Sequence, residues 1–409
     1  MKKALLLSVV ASTMIMAGGD IAPVEPVVEA PVEVASWDFS GQMVAYTQTT
    51  DGYGEGSLFD GDSTYAAWGA QLRAVNADVF AGIGAGIEVS GIVSDEGDDT
   101  TIGGFYGTGG NAQTTSGGIT QAYLTYGMES INTSLKVGRQ TLPKSLSPFA
   151  YSEGWQMFKN TFDAALVVNT SIPDTALVYA YVLNANRSVG EALTESSFTK
   201  VAAWAGLPAE GGVHMVTAQN KSISNLTLTG SWYLGVDHAG ADIDNTMLWG
   251  DATYKADALT VAVQGGSVDA DTLDSTSAWG AKLAYNFGMF DAAVAYSSVG
   301  DGALPISNYG TGIKSPLYTQ MVLNNVGQYH AAPDSDFLKV AAGMKALGGK
   351  WTLAYGDADS AGRDFTEFDL MYKAKVTEDI TFFGAYVYTD ESVATDTSNF
   401  VRFWARYNF

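Results

Sequence analysis

The chain ends in FVRFWARYNF (Phe400–Phe409), and this stretch decides the fold class. Two faces alternate along it: Val401, Phe403, Ala405, Tyr407 and Phe409 form one, and Arg402, Trp404, Arg406 and Asn408 form the other. A period of two is typical of a β-strand with one apolar face and one face in contact with water. The sequence therefore predicts that the chain ends in a β-strand with one apolar face and one polar face.

The same alternation recurs upstream, most clearly in residues 79–89, 226–234, 279–287 and 367–376. A soluble β-sandwich also alternates, so periodicity alone leaves two architectures open. Three further features favour a membrane barrel. Aromatic residues cluster at the ends of the apolar faces, Lys and Arg stand in the middle of the polar faces, and short connections alternate with long ones.

The short connections allow the strands to be counted. Eight of them each join two alternating segments, near residues 76–78, 128–131, 170–175, 221–225, 256–258, 287–289, 347–350 and 377–379. With an opening strand near 37–47 and a closing strand at 399–409, the prediction is an all-β, transmembrane antiparallel β-barrel of about 18 strands with short periplasmic turns and long external loops. We interpret Lys200–Gly206 as part of a loop.

The N-terminus predicts export. Lys2 and Lys3 precede an apolar run that ends in small residues, which is typical of a secretory signal peptide over residues 1–17. Residues 18–36, rich in Pro, Glu and Val, are predicted to form an extended tether. The barrel is then expected over residues 37–409.

Composition excludes several classes. The 409 residues carry a formal charge of −23 and no cysteine. A nucleic-acid binder needs a basic surface, and disulfides and thiolate chemistry need cysteine. Three widely separated His and the absence of HExxH and GxSxG motifs give no catalytic constellation, so an enzyme is not predicted.

A barrel of this size is too wide for wall side chains to fill. Residues 140–162, after the fifth strand, carry seven Pro and aromatic residues and are predicted to fold inward as a constriction loop; packing outside on neighbouring loops is the alternative. The segment 301–336 is predicted to form a second constriction or a cap. The predicted constriction residues are Arg139, Lys144, Glu153, Lys159 and Asp163.

Alternation also predicts which charged residues line the pore. These are Arg73, Glu88, Lys136, Lys282, Lys339, Lys373, Lys375, Arg402 and Arg406. The excess acid falls in predicted external loops, for example around residues 95–99 and 269–274. Acid at the outer mouth predicts mild cation preference at low salt. Such clusters offer oxygen ligands for Ca²⁺ or Mg²⁺ but lack the ligand spacing of a calcium loop, so no cofactor is predicted.

The signal peptide, the stretch Leu135–Val182 and the final FVRFWARYNF resemble an outer-membrane porin, most of all the major outer-membrane, Opr-type porins of Campylobacter-like bacteria. The resemblance implies a bacterial outer-membrane location among lipid and lipopolysaccharide. It also implies passive diffusion of small hydrophilic solutes, an inward third loop and a homotrimer. The terminal Phe409 would then be the signal that barrel-assembly machinery recognises.

The leading hypothesis is therefore a porin, a water-filled channel for ions and small hydrophilic solutes. The alternatives are a substrate-specific outer-membrane channel and an exported β-sandwich binding protein. An outer-membrane enzyme that assembles its site from distant strands stays a further, less favoured reading.

Overall fold

The computed structural model describes residues 37–52, 56–94, 116–186, 198–200, 209–238, 240–309, 314–324, 329–392 and 397–409. The predicted signal peptide and tether lie outside these residues, as do the acidic cluster at 95–99 and most of Lys200–Gly206. Every structural statement below concerns the described residues.

These residues form nineteen strands and two single 3₁₀ turns, at Gly61–Ser63 and Glu129–Ile131. The strands are β1 (Asp38–Thr50), β2 (Thr64–Phe80), β3 (Ile83–Ser94), β4 (Ser116–Met128), β5 (Thr133–Gln140), β6 (Phe162–Asn169), β7 (Thr175–Asn186), β8 (Phe198–Lys200), β9 (Val213–Asn220), β10 (Leu226–Gly235), β11 (Asn245–Ala256), β12 (Leu259–Ala270), β13 (Leu273–Asn286), β14 (Phe290–Val299), β15 (Ser335–Ala346), β16 (Gly349–Ser360), β17 (Arg363–Lys375), β18 (Ile380–Glu391) and β19 (Ser398–Asn408).

The wall is a closed antiparallel barrel of eighteen strands, as predicted. The three-residue β8 pairs with the end of β7 only, whereas β7 pairs directly with β9 along its length. Closure comes from β1 against β19, in a register that runs from Gln42 opposite Asn408 to Thr50 opposite Phe400. None of the described residues forms a helix long and apolar enough to cross a membrane.

Seven of the eight predicted short turns fall between the strands where they were expected. The first prediction is wrong by four residues. Residues 76–78 remain within β2, where Asn76 Oδ1 accepts a hydrogen bond from the backbone N–H of Asp78 at a register shift. The turn itself is Ala81–Gly82, both with positive φ, a conformation typical of tight hairpins.

Two connections at the opposite end of the barrel are also short, which corrects the expectation that every external loop is long. β12 passes to β13 through residues 271–272, and β16 to β17 through residues 361–362. The predicted acidic loop around residues 269–274 is therefore mostly strand. The long connection 300–334 lies between these two short ones in the chain.

Exposure alternates along the strands with the predicted period. On β13, Trp279, Leu283 and Tyr285 are about half exposed on the outer face, whereas Ala278 and Ala284 are buried on the inner face. Apolar side chains facing outward and polar ones inward are the arrangement that lipid outside and water inside require. The interior is filled in part by two connections that fold into it, and these position the site.

Candidate functional site

The connection from β5 to β6 (residues 141–161, the inner loop) lies inside the barrel. Phe149 is fully buried and makes edge-to-face contacts with the rings of Tyr233 and Trp249 on the inner wall, at centroid distances of 5.6 and 5.3 Å. The backbone N–H of Phe149 also donates to Tyr233 Oη at 3.2 Å. Aromatic contacts of this kind, with the apolar area that they bury, hold one side of the loop against β10 and β11.

The other side of the inner loop is fastened to the closing strand. Arg402 is fully buried; its Nη1 donates to the carbonyl of Trp155 at 2.9 Å, and its Nη2 to Gln48 Oε1 at 2.6 Å. The guanidinium lies 4.4 Å from the Trp155 ring centroid. Arg406 Nη2 donates to the carbonyl of Met157 at 3.0 Å. Both arginines point into the barrel and bind the backbone of the inner loop.

The connection from β14 to β15 (residues 300–334, the long segment) also enters the barrel and meets the inner loop. Asn308 bonds both backbone groups of Tyr151, accepting from its N–H at 3.2 Å and donating to its carbonyl at 3.0 Å. Asn308 Nδ2 donates to Glu153 Oε1 at 2.8 Å, and Lys144 Nζ donates to the carbonyl of Ser315 at 3.1 Å. The two segments therefore interlock across the lumen.

Wall residues hold the long segment in turn. Lys339 Nζ donates to the carbonyl of Gln320 at 2.6 Å, and Glu367 Oε1 accepts from the backbone N–H of Leu323 at 2.6 Å. His330 of the segment is fully buried beside Gln320, with its Nε2 at 3.0 Å from Gln320 Oε1. Burial lowers the pKa of His330 to about 3, so its imidazole is neutral at physiological pH.

A cavity of about 350 Å³ lies between the inner loop and the half of the wall nearest the predicted periplasmic turns. Its cationic lining residues are Arg73, Lys159, Lys373 and Arg406, and its aromatic ones include Trp155 and Trp404. Glu88 is the one acidic residue among those that line it. The cavity therefore combines positive charge with flat apolar rings.

Glu88 does not balance all of that positive charge, because its one carboxylate accepts hydrogen bonds from Arg73 and from two neutral residues of the wall. It is almost fully buried and accepts from Arg73 at 2.7 Å, from Thr120 at 2.7 Å and from Gln121 at 2.9 Å. The carboxylate offsets the charge of Arg73. Lys159, Lys373 and Arg406 add three further cationic side chains to the lining, so its field is positive.

Two of the five predicted constriction residues lie elsewhere. Arg139 pairs in register with Ala122 and Asp163, on the same face as Val137, which is 44% exposed, and Leu124, which is 55% exposed. Arg139 and Asp163 therefore form their ion pair on the outer face of the wall, at 2.8 Å between Nε and Oδ1. The prediction placed both residues in the constriction, Arg139 with the loop and Asp163 just beyond it, whereas β5 and β6 include them and alternation turns them outward.

The remaining predicted residues divide by position. Lys144, Glu153 and Lys159 are on the inner loop, and the first two bridge to the long segment. Lys136 and Lys282 lie inside near aromatic rings, with Nζ 3.7 Å from the centroid of Tyr123 and 4.8 Å from that of Tyr318. Lys375 is exposed at the turn end of β17.

Sequence reasoning missed the residues that join the two segments, above all Asn308 and Tyr309. The backbone N–H of Tyr309 donates to the carbonyl of Phe149 at 2.6 Å. Neutral polar residues in a long connection carry no sequence signal of such a contact. No group of three or more His, Asp or Glu among the described residues is arranged to hold a metal ion.

A closed eighteen-stranded barrel with an apolar outside and inward-folded connections defines the fold class of outer-membrane porins. Several solved structures are similar to this chain. OpdK of Pseudomonas aeruginosa, solved with vanillate, superposes with a TM-score of 0.71 at 14% identity, over 91% of this chain and 98% of that one. OccAB2 of Acinetobacter baumannii gives 0.70 at 14% identity over 91% and 98%, and OccD3 (OpdP) of P. aeruginosa 0.68 at 12% over 92% of both chains.

At these identities the likeness concerns the fold. Neither the protein-family models nor the curated proteins contain a match to this sequence.

Proposed function

We propose that this chain is an outer-membrane porin, a channel for passive diffusion of ions and small hydrophilic solutes. The observation that carries the proposal is the closed barrel whose inner wall bears charged and amide side chains while its outer wall bears Leu, Val, Trp and Tyr. A wall of this kind separates lipid from water. The two interlocked segments would narrow the passage and set its size.

The experiment is reconstitution in a planar lipid bilayer. The purified protein is expected to give stepwise, ohmic current increments, and a carbonate wash of membranes is expected to leave it in the pellet. Absence of current steps from protein that is folded and inserted would contradict the channel. Release by carbonate would instead favour an exported soluble binding protein.

The cavity favours a second, narrower candidate: a substrate-specific channel for small anions that carry an aromatic ring. Lys159, Lys373 and Arg406 would attract a carboxylate, and the rings of Trp155 and Trp404, which line the cavity, would contact the aromatic ring. A similar fold, OpdK, was solved with vanillate. This candidate implies anion preference, in place of the cation preference expected from the acidic external loops. Charge close to the ion path outweighs charge at the mouth of the barrel.

Vanillate and the uncharged vanillyl alcohol distinguish the two candidates, because they share a ring and differ in charge. A selective channel should show current interruptions with vanillate alone, and Lys373→Gln should weaken them. A salt gradient should give an anion-preferring reversal potential. Equal responses to both compounds would contradict the substrate-specific channel and favour the general porin.

The remaining expectations are proposals of the same kind. We infer an outer-membrane location, contact with lipopolysaccharide, a homotrimer and recognition of Phe409 by assembly machinery, and no catalytic role. Kinship with the Opr-type porins of Campylobacter-like bacteria is supported by the stretch Leu135–Val182. Crosslinking of the protein in outer-membrane fractions tests the trimer, and deletion of Phe409 tests the assembly signal through the yield of folded barrel.

A further inference from the structure

The ion pair of Arg139 and Asp163 is unusual because of where it lies. Among the described residues of the eighteen wall strands, Arg139 is the one Lys or Arg side chain on the outer face; the others point into the barrel. A charge on that face is costly unless it is paired and hydrogen-bonded. The pair therefore lies on the outer face, where the described wall strands otherwise carry no Lys or Arg.

The pair closes the neck of the inner loop. β5 ends at Gln140 and β6 begins at Phe162, so Arg139 and Asp163 lie one residue inside the two strand ends that flank the loop. They are register partners, and the carboxylate accepts from Nε at 2.8 Å and from Nη2 at 3.4 Å. The two side chains are only 15% and 25% exposed.

Two further bonds extend the pair over four strands. Arg139 Nη1 donates to the carbonyl of Ile119 on β4 at 2.9 Å, and Asn184 Nδ2 on β7 donates to Asp163 Oδ2 at 3.1 Å. The wall is irregular here: the register shifts between Asp163 and Ala164, and Gly138 has a φ of +124°. Bulges bend a strand and re-aim its side chains, so this is where the wall needs a fixed geometry.

The inner face of the same neck is fixed separately. Gln140, fully buried, donates to the carbonyl of Ala164 at 3.0 Å, and the backbone N–H of Thr161 donates to Asn186 Oδ1 at 2.6 Å. The base of the loop is thus held from both sides of the wall. Of the inner contacts, that of Gln140 joins β5 to β6 and that of Thr161 joins the loop to β7, whereas the outer ones set the spacing and twist of β4 to β7.

We propose that Arg139, Asp163 and Asn184 form an outer clamp, a set of positioning residues that fixes the neck of the inner loop and thereby the size of the passage, without contacting ions or solutes. The inference rests on the proposed channel function. It predicts that the clamp affects how steadily the channel holds one conductance, and leaves charge selectivity unchanged because its charges lie outside the lumen.

The test compares single-channel recordings of Arg139→Gln and Asp163→Asn with the exchanged pair R139D/D163R. Each single variant leaves a charge unpaired, and we expect about fivefold more time in secondary conductance levels, the factor that corresponds to about 1 kcal/mol. The exchanged pair restores the ion pair but not the bonds to Ile119 and Asn184, so it should spend less time in secondary levels than either single variant. Reversal potential in a salt gradient should stay at the wild-type value in all three.

Lys136→Gln is the matched control, because Lys136 is on the same strand three residues earlier and points into the barrel. It should shift the reversal potential without adding secondary levels. Arg139→Gln behaving like Lys136→Gln would overturn the clamp by placing Arg139 in the ion path. Wild-type level distributions in both single variants would overturn it as well.

Asn184→Ala covers the case in which the charge variants do not assemble. It removes one hydrogen bond to Asp163 and leaves the ion pair, so an increase in secondary levels smaller than fivefold is expected; wild-type behaviour of a folded Asn184→Ala protein would then overturn the clamp. A wild-type protein without conductance would instead refute the channel function itself. The two failures are therefore distinguishable.

Discussion

Replacement of Arg402 by Met is expected to loosen the inner loop and enlarge the passage. The guanidinium donates to the carbonyl of Trp155 and to Gln48, and it lies against the Trp155 ring. Hydrogen bonds from a charged donor contribute about 1.5 to 3 kcal/mol each. Methionine fills much of the volume of arginine and donates no hydrogen bond.

The net effect is smaller than the sum of the two bonds. Arg402 is fully buried, so the cost of removing its charge from water offsets several kcal/mol of the stabilisation that its hydrogen bonds provide. We therefore expect the docked loop to lose about 2 kcal/mol relative to undocked states, a factor of about 30 in their ratio. The contacts of Phe149 and Asn308 remain, so the loop should detach at the Trp155 end and the barrel should stay folded.

The assay is single-channel conductance combined with thermal unfolding of the protein in detergent. Arg402→Met should show frequent transitions to larger conductance with little change in the unfolding temperature. Lys375→Met is the control, since it removes a cation from the exposed turn end of β17, away from the loop. Equal conductance changes in the two variants would refute the anchoring role and indicate a purely electrostatic one.

Three other outcomes follow from the structure. Phe149→Ala should lower the unfolding temperature, because truncation of a fully buried phenylalanine costs about 3 to 5 kcal/mol; Phe39→Ala, which removes a largely exposed ring, is the control. Gly138→Ala should reduce the yield of folded barrel in heat-modifiability gels, since a Cβ there would lie 2.2 Å from the carbonyl oxygen of Ala122 at a φ of +124°. Burial lowers the pKa of His330 to about 3, whereas an unfolded chain binds that proton near pH 6.5. The wild type should therefore lose stability as pH falls from about 6.5 towards 3, and His330→Gln should lose less over that range.

The strand order was predictable because it depends on local chemistry. Alternation marks a strand wherever lipid lies on one side and water on the other, and polar residues mark the turns. The first turn failed for the same reason, since Asn76 and Asp78 are typical turn residues that here cap a bulge inside β2. Gly82 carried the better signal, with a positive φ that glycine adopts at little cost.

The interior was only partly predictable. Alternation identified Arg402 and Arg406 as inward-facing, but nothing local indicates that both would bind loop carbonyls about 250 residues away in the sequence. The contact between Asn308 and Tyr151 is of the same kind, since the partners are 157 positions apart in the sequence. Such contacts depend on how two connections meet in space, and the periodicity of a single sequence does not indicate which connections meet.

The position of Arg402 on β19 also bears on the order of assembly. Contacts between residues far apart in the chain form late, because the loop-closure entropy must be lost first. β19 is synthesised last, and it both joins β1 to complete the ring and supplies the side chain that fastens the inner loop at Trp155. A barrel still open at that seam would also have one end of its inner loop unfastened. Ring closure and narrowing of the passage would therefore occur in one step, so that an unfinished barrel would leak more than a finished one.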